Sequence, residues 1–189
     1  MSDSGQRTWP PAPITTARLV LRESEARDRA AYIELFASED VGVHVGGARP
    51  RADLERDVPE VPGRRAGQFV VERDGAMIGT VEIERRDPEH RSSYRPDVGD
   101  AEIGYLFLPA AWGHGYAAEA CAAVLDWFDG HHPGATVSLR TQTANTRSLR
   151  LAEKLGFGEA GRYEEWGAEQ WLGVWSRVSP DAAPRRPGP

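Results

Sequence analysis

Residues 101–120 hold the densest chemical signal in the chain. An apolar strand pattern over 101–108 is closed by Pro109 and leads through Trp112, Gly113, His114 and Gly115 into a helical pattern. A helix start leaves several backbone N–H groups without partners and carries a partial positive charge. Gly113 and Gly115 let such a backbone approach a ligand closely. The combination suits a phosphate or pyrophosphate, although a tight turn without a ligand reads equally well from these residues alone. A second stretch begins at Asn145, a helix cap, and runs through Ser148 to Glu153, Lys154, Leu155, Gly156 and Phe157. By itself it is an amphipathic helix with an ordinary cap.

The elements around these stretches alternate between strand and helix periods. Residues 18–22 have a strand-like apolar centre, and Ser24 is placed to cap a helix over 25–37 with Ala26, Ala30, Ile33 and Ala37 on one face. Residues 41–67, rich in Gly, Pro and Arg, predict a mobile loop with a short helix near 52–58. Strands over 68–73 and 76–84 meet at Asp74-Gly75, a strong hairpin signal. A polar loop follows at 87–97. The helix over 115–128 carries Ala118, Cys121, Leu125 and Phe128 at helical spacing. A strand at 136–141, the helix from Asn145 to its stop at Gly156, and a hairpin around Gly167-Ala168 complete the order. Three strands in succession before the longest helix predict a mixed sheet rather than a doubly wound parallel one.

Composition narrows the classes. The 189 residues are 40% hydrophobic and 28% charged, which is the make-up of one globular domain. We place that domain at 14–178, between polar or proline-rich tails at 1–13 and 179–189. The net charge of −6, from 23 basic and 29 acidic residues, argues against a nonspecific nucleic-acid binder. No apolar run approaches the ~18 residues of a membrane span, and the N-terminus lacks the basic and apolar regions of a signal peptide. The single cysteine, Cys121, excludes an internal disulfide framework and fits a reducing, cytoplasmic setting. Its place on an apolar stripe points to burial rather than nucleophilic catalysis. Adjacent His131 and His132 lack a third ligand at useful spacing, so no metal is expected.

Taken together, the two stretches resemble the GNAT superfamily of acyl-CoA-dependent N-acyltransferases, in the right order and over about residues 14–178. Trp112, Gly113, His114, Gly115, Tyr116 and Ala117 are similar to its pyrophosphate loop, usually written Q/R-x-x-G-x-G/A. The segment from Asn145 to Phe157 is similar to its second cofactor motif. The opening at 16–22, Trp112 in place of Gln or Arg, and Asn145 with Ser148 resemble the subgroup containing the ribosomal-protein N-terminal acetyltransferases. The resemblance implies a mixed α/β (α+β) GNAT fold: a twisted, mostly antiparallel central sheet with helices on both faces. Its fourth and fifth strands, here 101–108 and 136–141, would splay. The pantetheine arm of acetyl-CoA would enter that splay and pair with backbone groups of Leu106, Phe107 and Leu108.

The activity implied is transfer of an acyl group from CoA to a primary amine, on a peptide N-terminus or a small molecule, directly within a ternary complex. The amine must lose its proton, the oxyanion needs an N–H, and the leaving thiolate gains from a donor. Glu102 is the candidate base, directly or through water; as a bare residue it reads equally as a surface carboxylate or salt-bridge partner. Gln142 could orient the same water. Deprotonating an α-amine at pH 7 costs about 1.4 kcal/mol, and a lysine-like amine roughly 4.6 kcal/mol, so a weak base fits the former better. Many family members carry Tyr just before the Glu of E-K-L-G-F, where this chain has Ala152. Ser148, one turn earlier, is the proposed replacement, to hydrogen-bond the CoA sulfur; a first-turn serine bonding its own backbone is the alternative. Arg147 and Arg150 could reach CoA phosphates or simply face solvent. Trp166, Trp171 and Trp175 suit core packing or a homodimer surface. Glu164, Glu165 and Glu169 could attract a cationic acceptor. Other readings are a CoA-binding regulatory domain of the same fold, a succinyl-CoA or longer-chain acyltransferase, and a nucleotide-binding module built on residues 113–115.

Overall fold

Among the described residues, eight strands form one sheet, in the order β1-β2-β3-β4-β5-β6-β8-β7. The structure is a computed structural model that describes residues 11–85 and 99–177. The strands are β1 (Ile14–Thr15), β2 (Val20–Arg22), β3 (Gln68–Arg73), β4 (Ala76–Arg85), β5 (Ala101–Phe107), β6 (Val137–Gln142), β7 (Gly158–Glu165) and β8 (Ala168–Trp175). Every neighbouring pair is antiparallel except β5–β6, which is parallel. The helices are α1 (Arg29–Ala37), α2 (Glu39–Gly42), α3 (Arg51–Asp57), α4 (Tyr116–His131) and α5 (Thr146–Leu155). This is the mixed sheet that the element order predicts and the mostly antiparallel one that the family resemblance implies. The strands expected to splay are β5 and β6, because the short β1 adds one to the count.

Period-two alternation divides the core between the two faces of the sheet. On one face, Phe69, Val71, Val81, Ile83 and Ile103 pack with Cys121, Val124, Leu125 and Phe128 of α4. On the other, Val70 and Met77 meet Leu35 of α1, with Leu106 and Leu108 beside them. The buried α4 stripe contains Ala120 and Val124 as well as the expected Cys121, Leu125 and Phe128, while Ala118 is only half-buried.

Three local expectations are corrected. Ser24 does not cap α1; a 3-10 turn, Ala26–Asp28, precedes the helix. Asp28 is drawn instead into two bonds from Arg22, at 2.7 and 2.9 Å, and accepts the Glu25 N–H at 2.8 Å. Ser24 Oγ is left buried without a partner. The 41–67 segment is anchored rather than free, because Leu54 and Val58 pack on Ile33. The final hairpin turns at Trp166-Gly167, one residue earlier than expected, with φ of 52° and 72°. Asp74-Gly75 has the same pair of left-handed residues, at 51° and 82°. That is the geometry two-residue hairpin loops require. The expected loop at 87–97 and most of both tails lie outside the described residues.

Candidate active site

Strands β5 and β6 part almost as soon as they meet. They pair only at Ala101↔Val137 and Glu102↔Ser138. Their outer neighbours stay zipped: β4 follows β5 from Arg85↔Ala101 to Gly79↔Phe107, and β8 follows β6 from Val137↔Trp175 to Gln142↔Gln170. A wedge-shaped gap therefore opens beyond Glu102 and Ser138. Two side-chain links hold its root. Ser138 Oγ donates to the Ala101 carbonyl at 3.1 Å, and Arg140 grips Glu102 through Nε, at 2.7 Å, and a terminal nitrogen. Burial works to lower the Arg140 guanidinium, yet the Glu102 carboxylate outweighs it and holds the group above its ordinary value.

Backbone alternation decides which amides face the gap. The Leu108 N–H goes to the Ile78 carbonyl of β4 at 2.9 Å. Even-numbered residues of β5 therefore turn their backbone edges toward β4, and odd-numbered ones turn theirs toward the gap. Leu106 and Leu108, expected to offer backbone groups there, face the other way. Tyr105 and Phe107 take that position. The Phe107 carbonyl already accepts from Trp112 Nε1 at 2.8 Å, which leaves its N–H as the group at the mouth of the wedge.

The turn beyond β5 is open. Gly113 and Gly115 both sit at φ 79°, a left-handed conformation that L side chains avoid. A β-carbon at Gly113 would meet no atom within 4 Å, and residues 113–115 are exposed. Gly115 is the N-cap of α4, and the first bond back to it comes from Glu119 at 3.1 Å. The helix itself thus supplies no acceptor for the N–H groups of Tyr116, Ala117 and Ala118. Arg18 braces the turn, donating to the His114 carbonyl at 3.0 Å and pairing with Glu119 at 2.7 Å. The Tyr116 side chain is buried, its hydroxyl bonded to Arg73 and its ring between the Arg18 and Arg73 guanidiniums. Only its main chain belongs to the turn. The His114 ring folds onto the Trp112 carbonyl at 3.2 Å.

Helix α5 forms the other wall of the wedge. Asn145 Oδ1 caps it by accepting the Ser148 N–H at 3.1 Å, and Gly156 ends it at φ 86°. The Ser148 hydroxyl is 2.6 Å from the Tyr105 phenol, and burial pushes that phenol up to about 12. Arg147 lies over the Trp112 ring, 4.8 Å from its centroid. Cys121 is fully buried, which pushes its thiol far up. Among the described residues no group of three or more His, Cys, Asp or Glu could hold a metal ion. No helix there is long and apolar enough to cross a membrane.

On the opposite sheet face, a cleft of about 410 Å³ is lined by Tyr32, Phe36, Arg65, Gln68, Thr80, Glu82, Gly104, Tyr105 and Leu106. Glu82 pairs with Arg65 and lies opposite Gly104 in the β4–β5 register. A β-carbon at Gly104 would sit 3.3 Å from Glu82 Oε1, so this glycine makes room for the carboxylate. His44, in the loop after α2, hydrogen-bonds Gln142 at 3.1 Å and ties that segment to the end of β6. Tyr105, Arg140, Glu82 and His44 were not singled out from sequence. Strand alternation, which sets Glu82 beside Glu84 on one face, was the one available signal.

Known proteins share this fold. The family described as "Acetyltransferase (GNAT) domain" matches residues 18–158. The uncharacterized N-acetyltransferase YnaD of Bacillus subtilis is 29% identical over 164 residues, covering 84% of this chain and 91% of that protein. The crystal structure of a GNAT-family acetyltransferase from Bacillus anthracis superposes with a TM-score of 0.72 at 24% identity, covering 87% of this chain and 98% of that one. RimL, a ribosomal L7/L12 alpha-N-protein acetyltransferase solved in complex with coenzyme A, gives 0.66 at 12% identity, covering 87% and 98%. At such identities these structures speak for the fold.

Proposed function

Because the chain belongs to the GNAT acetyltransferase family, we propose that it transfers an acetyl group from acetyl-CoA to a primary amine, by direct attack in a ternary complex. The observation that carries this reading is the open fork beside an open glycine turn. The turn aims the N–H groups of residues 116–118 at a diphosphate. The gap receives the extended arm that ends in the thioester, with the Phe107 N–H at its mouth.

The chemistry then divides between the two sheet faces. The amine enters by the cleft lined by Tyr32, Phe36 and Glu82 and attacks the thioester carbon. A C–N bond forms, the C–S bond breaks, and the surplus proton on nitrogen ends on the sulfur. Glu102 takes the amine's first proton through water. Arg140 holds its carboxylate in place at the root of the gap. Ser148 offers its hydroxyl to the departing sulfur. Asn145 holds the helix start that presents Ser148, and the Trp112 indole fixes the Phe107 carbonyl.

The test is thiol release from acetyl-, succinyl- and longer acyl-CoAs against a panel of peptide N-termini, polyamines and aminoglycosides. Release well above hydrolysis for one acceptor class supports the reading. CoA binding without turnover on any amine replaces it with a CoA-binding regulatory domain, a reading favoured by the fully buried Ala152 where many relatives place a tyrosine.

A further inference from the structure

We propose that Tyr105 is a positioning residue that orients the Ser148 hydroxyl toward the CoA sulfur, supplying from β5 a phenol that α5 lacks. This rests on the acetyl-CoA reading above and adds to it a residue with no assigned part. Tyr105 stands on β5, and its hydroxyl is 2.6 Å from Ser148 Oγ on α5. The two groups belong to opposite walls of the wedge, 43 residues apart in sequence.

Each hydroxyl has one proton to donate. The phenol is the stronger acid of the two, so it donates and the serine oxygen accepts. The serine proton is then free to point away from the phenol. The hydroxyl bonds Tyr105 rather than turning back to a carbonyl of its own helix, the usual competitor. Ser148 is itself only 8% exposed; Asn145 holds its backbone N–H and Tyr105 its hydroxyl. The direction it retains is into the gap.

The burial of Tyr105 also defines what it does not do. A phenol whose pKa is pushed up to about 12 stays protonated throughout neutral pH. It does not surrender its proton to a thiolate, the conjugate base of a stronger acid. It polarises and aims the serine, and the proton that ends on the sulfur comes from the attacking amine. Ala152 lies one turn beyond Ser148 on the same helix face and is fully buried. The space at that face is closed to a second phenol, and the one from β5 meets Ser148 instead.

The experiment uses the full chain and CoA itself, without an acceptor. The thiol of bound CoA is titrated by its ultraviolet thiolate absorbance in the wild type, Tyr105→Phe, Ser148→Ala, Ser148→Thr and the double variant. A donor to the thiolate lowers the thiol pKa, so Tyr105→Phe and Ser148→Ala are each expected to raise it by about half to one pH unit. The double variant is expected to move no further than either single one, and Ser148→Thr to restore the wild-type value. CoA affinity at pH 6, where the thiol is protonated, is expected to stay within about threefold. An unchanged thiol pKa in Tyr105→Phe, or shifts that add in the double variant, overturns the proposal while CoA binding stands. Failure of the folded wild type to bind CoA overturns the acetyl-CoA reading and this proposal with it.

Discussion

On the proposed reading, the glycine turn that takes the donor's diphosphate relies on main chain, and the acceptor cleft relies on side chains. At the turn, two left-handed glycines and a helix start do the work, and no side chain of residues 113–115 is buried there. In the cleft, Tyr32, Arg65, Glu82 and Gly104 come from four separate stretches of chain. Main-chain geometry answers one chemical demand, a diphosphate, in one way. Side chains answer a demand that differs for each acceptor.

The sharpest way to break that division is to remove a carboxylate that stands at its border. Glu102→Gln is expected to lower kcat/KM about hundredfold, with CoA affinity unchanged. If Glu82→Gln has that effect instead, the base belongs to the acceptor cleft and not to the fork.

The two sides are also expected to fail at opposite ends of the pH scale. Near the acceptor side, burial works to raise the Asp28 carboxyl, but Arg22 and the Glu25 N–H together hold it below its ordinary 3.8. As pH falls, the unfolded chain takes up this proton first. The stability contributed by Asp28 is therefore present above 3.8 and lost as pH drops through the depressed folded value. On the donor side the sign is reversed. Tyr105 ionises near 10.0 when unfolded and near 12 when folded, so its contribution is full below 10 and lost between 10 and 12. That alkaline loss is on the order of 1–3 kcal/mol. Thermal melts across pH check both, with Asp28→Asn and Tyr105→Phe each expected to remove its own limb alone.

Smaller effects sharpen the contrast. Gly115→Val places a β-branched residue in a left-handed conformation, at about 1–2 kcal/mol, and is expected to weaken CoA about tenfold in calorimetry while sparing the KM of the amine. Trp112→Phe loses the bond to the Phe107 carbonyl, a matter of about 0.5–1.5 kcal/mol, and is expected to weaken CoA two- to tenfold.

What could be read from the chain follows the same line. Asp74-Gly75, Gly113, Gly115, Asn145 and Gly156 announce themselves because each answers a local backbone demand within a few residues. Tyr105 does not; in sequence it is one more aromatic on a strand, and its meeting with Ser148 depends on how α5 closes over β5. Arg140 and Glu102 are 38 residues apart, and only the register of the single parallel pair brings them together. Ser24 misled for a related reason. Its local cap was outcompeted by Asp28, whose partner Arg22 already stands in β2.

The brevity of that parallel pairing has a mechanical meaning. Strands β1 to β5 form one leaf and β6, β8 and β7 another, and the hinge between them is two residues long on each side. On the proposed reading, an arm sliding into the opening extends the unpaired edge of β5 as an added strand would, so loading is expected to stiffen the sheet from its middle. Amide hydrogen exchange in residues 139–142 and 103–107 is thus expected to slow together on loading, while the outer hairpins keep their own pace.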